Sequence, residues 1–101
     1  VKALHPDVKA LAEAMRLLEM HLRQHDAPFW ADHIAQCLGW IENSDAYGLS
    51  RFLALFGGMG SLNDLVLQRG DDFLSAENDQ LQEMLGRTYE MADQLRREAS
   101  R

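Results

Sequence analysis

Phe56-Gly57-Gly58-Met59-Gly60-Ser61-Leu62-Asn63-Asp64-Leu65 interrupts a chain that is otherwise almost continuously helix-forming. Three of the seven glycines fall within four residues, and the polar group Ser61, Asn63 and Asp64 follows at once. Gly57 stands where a helix ends on a residue of positive φ. The glycines permit a tight reversal with close backbone approach, and the three polar side chains satisfy the loop's N–H groups. A second use is compatible with the first, because a loop held on rigid helices can present Met59 and its polar tips to a partner. Beyond the glycines, two forms fit: Ser61 caps a short helical turn, or Leu65-Val66-Leu67 is extended.

Upstream of the break, Ser44 or Asp45 is placed to cap a helix over Ala46 to Phe56. Tyr47, Phe52, Leu53, Leu55 and Phe56 make it too apolar for a broad solvent face, so it is expected to be central. Before it, Pro28 opens a helix that ends at Glu42-Asn43-Ser44. Trp30, Ile34, Cys37, Leu38 and Ile41 line one side of that helix, flanked by Phe29, His33 and Trp40, which predicts the heaviest core element. Gly39 within it lowers helix propensity or admits a close neighbour.

The first helix is expected over Pro6 to Gln24, with Leu4, Val8, Leu11, Met15, Leu18 and Leu22 recurring at three- and four-residue steps. Asp7 suits its dipole, and Glu19 and Arg23 form an i,i+4 pair in the favourable order. Downstream, Gln68-Arg69-Gly70-Asp71-Asp72 reads as a turn, and Ser75 as the cap of a last helix over Ala76 to Glu98. Leu81, Met84, Leu85, Thr88, Met91, Ala92 and Leu95 form its apolar stripe, with Glu83/Arg87 and Asp93/Arg97 as i,i+4 pairs. The fold class is therefore all-α: one compact bundle of four main helices, residues 1–101, with an irregular glycine-rich segment between the third and fourth.

With 101 residues and 47% hydrophobic content, the chain is long enough for one core without staples. Val1 to Pro6 lack the apolar core of a signal peptide, and no apolar run reaches the ~18 residues of a membrane span. A single cysteine, Cys37, allows no internal disulfide and fits a reducing compartment, so the cytoplasm is the expected location. The formal charge of −6 is uneven: residues 64–83 carry Asp64, Asp71, Asp72, Glu77, Asp79 and Glu83 against Arg69, a net of −5. Such a surface repels phosphate backbones, which argues against nucleic acid as a partner, and attracts basic proteins. A solvated face that aids solubility is the plainer account of the same residues.

Three groups of residues bear on chemistry. His21 and His25 have i,i+4 spacing, with Asp26 and His33 as further possible metal ligands, but the Glu of H-E-x-x-H is absent and both histidines read better as exposed positions beside the apolar stripe. Cys37 with His33 would make a nucleophile and base, yet Cys37 falls on an apolar face and reads as a buried inert thiol. Gly57-Gly58-Met59-Gly60-Ser61 lacks the lysine and spacing of a P-loop and does not match G-x-G-x-x-G. No cofactor is expected, and Asp64 lacks a second carboxylate or histidine at short range in the sequence for acid–base work.

The run from Phe56 to Leu67 resembles a signature of small uncharacterised bacterial proteins, GGMGS-x-ND-L between helices, with an aromatic-rich helix before it and a tyrosine-bearing helix after it, here Tyr89. The resemblance implies a bacterial, cytosolic, single-domain protein and brings no catalytic residues. The expected function is a non-enzymatic protein-binding module, in its sharpest form an acidic immunity protein that occludes a toxin's basic cleft. Its contacts would be Met59, Leu62, Asn63, Asp64, Asp71, Asp72, Glu77 and Asp79, with Gly57, Gly58, Gly60 and Ser61 shaping the loop. The alternatives are a helical protein that pairs with a copy of itself through its last helix, and a small metal-dependent enzyme on His21 and His25.

Overall fold

The computed structural model describes residues 5–57 and 60–99. Four helices form, α1 (Pro6–Gln24), α2 (Pro28–Glu42), α3 (Ala46–Ala54) and α4 (Ser75–Ala99), with a two-stranded ribbon, β1 (Gln68–Arg69) and β2 (Asp72–Phe73), before the last. α1 packs on α2 and α4, α2 on α3, and α3 on α4, so the helices close a circuit around one core. Leu4, Gly58 and Met59 lie outside the described residues.

Both proline-opened helices begin where the sequence places them, because Pro6 and Pro28 supply a helical φ and give up only an N–H that would have no partner. Their ends are less conventional. Asp26 (φ 64°) and Ser44 (φ 60°) both take the left-handed conformation that usually calls for glycine. After α1, the N–H of Ala27 bonds back to the Leu22 carbonyl at 2.9 Å. After α2, Ser44 N–H donates to Ile41 O at 3.0 Å and Asp45 N–H to Trp40 O at 2.9 Å. The second pattern is a complete Schellman motif, so Ser44 terminates α2 while Asp45 alone caps α3, accepting from Tyr47 N–H at 2.9 Å.

Leu11, Met15, Leu18 and Leu22 of α1 are wholly buried, as their period demands. They meet Ala31, Ile34, Cys37, Leu38 and Ile41 of α2 and Leu81, Leu85, Thr88 and Ala92 of α4. Thr88 tolerates burial because its Oγ1 bonds to the carbonyls of Met84 (2.8 Å) and Leu85 (3.2 Å). Leu81, Leu85, Thr88 and Ala92 of the α4 stripe are thereby buried in the core, whereas Met84, Met91 and Leu95 are only partly covered.

The expected weight of α2 in the core is corrected. Phe29 is 64% exposed, and Trp30 and Trp40 are half-buried, so the aromatics edge the core and aliphatic residues fill it. Rims suit large rings that stack on one another: Phe29 meets Trp30 and His33 edge-on, and Trp40 meets Tyr47. α3 is not central either. It spans nine residues, buries only Gly48 and Phe52, and leaves Tyr47 exposed. The core it is too short to cover is completed by Leu62, in a 3-10 turn over Leu62–Asp64, and by Leu67. Both expected forms of 61–67 therefore occur in succession, a turn and then an extended Leu65 (φ −66°, ψ 133°), although Ser61 makes no capping bond to that turn. Ser75 is the first residue of α4 and does not precede it.

Of the surface ion pairs, Glu19–Arg23 (2.8 Å) and Asp93–Arg97 (3.3 Å) form as expected, whereas Glu83 and Arg87 do not pair with each other among the described residues. Arg23 also reaches Asp32 at 3.1 Å, and Arg16 pairs with Glu42, so two exposed bridges join α1 to α2.

The glycines divide by packing. A Cβ on Gly48 would sit 2.7 Å from Trp40 Cβ and 2.8 Å from the Cys37 carbonyl oxygen, so it is Gly48, and not Gly39, that brings α3 close to α2. At Gly39 and Gly86 an added Cβ meets nothing within 4 Å. Gly48→Ala is expected to destabilise the fold by about 1–3 kcal/mol despite its better helix propensity, because backbone atoms must give way. Gly39→Ala and Gly86→Ala should each stabilise it by up to ~1 kcal/mol. Urea unfolding of the three variants checks both signs.

Candidate functional site

The glycine segment folds on its own polar side chains. Gly57 (φ 88°) and Gly60 (φ 77°) adopt the positive φ that only glycine takes readily. Gly57 N–H donates to Asn63 Oδ1 at 3.1 Å, and Gly60 N–H to Asp64 Oδ2 at 2.9 Å. Ser61 Oγ also donates to Asn63 Oδ1. Leu62 N–H closes the loop onto the Leu55 carbonyl at 2.9 Å. Asn63 and Asp64 thus satisfy loop N–H groups as expected, while the Ser61 hydroxyl donates to Asn63. Asp64 occupies with its own carboxylate an N–H that an anion nest would need, a second physical reason against phosphate binding.

Beside this loop, a groove of about 380 Å³ opens between the end of α3 and α4, lined by Leu53, Phe56, Gly57, Asn63, Gln82, Leu85, Gly86 and Tyr89. Phe56 and Tyr89 meet edge-to-face with centroids 5.0 Å apart. The lining carries no formal charge, and its polar groups are amides and a phenol.

The acidic block continues in the ribbon. Gln68 pairs with Phe73 and Arg69 with Asp72, and Gly70 (φ 62°) makes the reversal. The expected turn is therefore a short hairpin with Asp71 at its tip. Val66 lies two residues before Gln68 on extended chain, so Val66, Gln68 and Phe73 share the outward face while Leu65 and Leu67 turn inward. Val66 and Phe73 are exposed, and Phe29 of α2 joins Val66 and Trp30 around a hollow of about 360 Å³. Three large apolar side chains thus stand exposed near the acidic hairpin.

The hairpin is held by a residue that sequence reasoning missed. Asn78, in the first turn of α4, is buried; its Oδ1 accepts from Leu67 N–H at 2.7 Å and its Nδ2 donates to Leu67 O at 2.9 Å and Leu74 O at 2.8 Å. Asn was readable there as a residue prone to bond nearby backbone, but its target eleven residues upstream was not. Beside it, His21 is only 6% exposed, which corrects its expected place on the surface. A carbonyl oxygen only accepts, so His21 Nε2–H donates to Glu77 O at 2.9 Å and His25 Nδ1–H to His21 O at 2.8 Å. These two ring nitrogens are engaged with backbone, and among the described residues no three His, Cys, Asp or Glu side chains converge as a metal site would require.

Other expected site residues fall as follows. Leu62 is fully buried in the core and cannot be a surface contact, a correction that follows from the short reach of α3. Met59 and Gly58 lie outside the described residues. Asn63, Asp64, Asp71, Asp72 and Asp79 are exposed and Glu77 is half-buried. Cys37 is buried, and desolvation pushes its thiol above its ordinary pKa, with the Arg51 charge opposing more weakly. A neutral, enclosed thiol is a poor nucleophile.

Asn78→Ala removes three hydrogen bonds, leaves Leu67 N–H buried without a partner, and leaves Leu67 C=O only the 3.3 Å bond from Leu74 N–H. It is expected to cost about 2–4 kcal/mol and to bring fast amide exchange to residues 66–74, measurable by hydrogen–deuterium exchange.

No curated protein and no solved structure matches the chain. A protein family described as "Domain of unknown function (DUF6966)" matches residues 23–75. That stretch runs from the end of α1 to the first residue of α4 and takes in the glycine loop, Phe29, Val66 and the whole hairpin. With just over half of its length matched, the chain belongs to this family of domains of unknown function.

Proposed function

We propose that this chain is a non-enzymatic protein-binding module whose recognition surface is the hairpin end. The supporting observation is the combination found there: Phe29, Val66 and Phe73 exposed together with Asp71 and Asp72 on a hairpin held from beneath by Asn78. An apolar centre bordered by one sign of charge suits a partner with a basic surface around an apolar recess. Asn63 and Asp64 are engaged within their loop, so their part is to hold its shape as much as to meet a partner.

In its sharpest form, the proposal is an acidic bacterial immunity protein acting in the cytoplasm, where Asp71 and Asp72 steer it onto the basic cleft of a toxin and Phe29 and Phe73 enter that cleft. Charge complementarity of this kind raises association rates more than it adds affinity.

The test is co-expression with the protein encoded by the adjacent gene, followed by size exclusion with light scattering. A 1:1 complex is expected, with an association rate that falls as salt is raised and is at least about tenfold slower for Asp71→Lys/Asp72→Lys. No complex, or one indifferent to both salt and the double substitution, would sink the proposed surface. A stable homodimer with no partner bound would favour self-association instead.

A further inference from the structure

α1 and α4 touch along an open seam that the hairpin surface does not include. Leu17, Met84 and Met91 border a groove of about 430 Å³ there, and Ala10 and Ala14 keep the α1 wall low. A second hollow of about 220 Å³ shares Ala10 and Met91 and carries the seam on to Leu95. Together they run from Gln80 to Glu98 along α4, about 27 Å at the rise of a helix, and the trough suits a cylinder about 10 Å across. Leu17 is 57% exposed and Met20, a turn further along α1, is 54% exposed. Neither side chain belongs to the core formed by the described residues.

The charges bordering the seam favour one kind of occupant. Asp7, Glu13, Glu83 and Glu98 stand along it against Arg87. Glu13, Glu83 and Arg87 form no ion pair among the described residues. A second copy laid on the seam would bring the same four carboxylates against these four, which costs free energy at every like-charged contact. A helix with an apolar stripe and lysine or arginine on its flanks would bury Leu17 and the methionines and meet the carboxylates with opposite charge. Methionine side chains are flexible and polarizable, so they adapt to apolar residues of different shapes, as a groove receiving a helix from another protein requires.

We propose that the α1–α4 seam is a docking groove for a basic amphipathic helix of a partner protein. The proposal does not rest on the hairpin surface and can fail or succeed separately from it.

The probe is a dye-labelled synthetic helix of about 18 residues, with leucines at i, i+3, i+4 and i+7 and lysines on the flanks, compared with a counterpart carrying glutamates. Fluorescence anisotropy with the full chain should show the lysine peptide binding, weakening with salt, and the glutamate peptide not binding. Leu17→Ser, which changes no charge at an exposed position, should weaken binding at least about tenfold. Glu83→Gln should reduce its salt dependence, and Asp71→Lys/Asp72→Lys should leave the affinity within about twofold. Amide shifts on binding should map to Ala10, Ala14, Leu17, Met84 and Met91. The proposal is overturned by no binding, by equal binding to Leu17→Ser, by loss on the hairpin variant instead, or by concentration-dependent self-association that Leu17→Ser abolishes.

Discussion

The carboxamide of Asn78 bonds to both the N–H and the C=O of Leu67, as a neighbouring strand would. Leu67 is buried at the foot of a hairpin only two residues long on each side, and no further strand pairs with it. Without that amide, the Leu67 N–H would be buried with no partner and its C=O would keep only the bond from Leu74 N–H at 3.3 Å, a loss of about 1–3 kcal/mol against a small net stability. With it, the irregular chain between α3 and α4 can enter the core, bringing Leu62 and Leu67 under the short third helix. The exposed hairpin and the closed core therefore depend on the same side chain. His21 extends the arrangement by tying the end of α1 to the Glu77 carbonyl one residue away.

Much of the helical frame was legible because proline and leucine act locally. Pro6 and Pro28 mark α1 and α2 to the residue, and the period of Leu11, Met15, Leu18 and Leu22 needs no knowledge of what they meet. Asn63 and Asp64 were legible for the same reason, since their partners are four to six residues away. The failures share the opposite property. His21 is buried because the first turn of α4 lies beside it, its bonded partner Glu77 being 56 residues on, and nothing near position 21 signals that. Phe29 and the two tryptophans read as core by hydrophobicity alone, yet the aromatic place in the core is taken by Phe52 of α3, and the α2 rings lie at its edge. Leu62 stands among polar loop residues with no local sign of burial, and only the packing beneath α3, which stops at Ala54, places it in the core. Ser44 and Asp45 are adjacent and both polar, and only the bonds back to Trp40 and Ile41 show which ends one helix and which begins the next.

The glycine loop changes meaning once its bonds are known. Gly57 and Gly60 direct their N–H groups into Asn63 and Asp64, so these two glycines are held by side chains a few residues further along the same segment. What it positions is more informative than what it contains. After it, the chain places Leu62 and Leu67 in the core and Val66 and Gln68 beside Phe29, just before the acidic hairpin. The same loop forms one wall of the uncharged groove with Phe56 and Tyr89.

The limits of the family match carry a consequence for how the chain can be divided. Residues 23–75 hold α2, α3, the loop and the hairpin. Ile34, Phe52, Leu62 and Leu67 share their cluster with Leu11, Leu18, Leu81 and Leu85, all of which lie outside that span, as does Asn78. The span that defines membership is thus not an autonomous folding unit. Excised, it would bare one whole side of its apolar layer and free the hairpin, so a minimal fragment that still folds must carry both flanking helices.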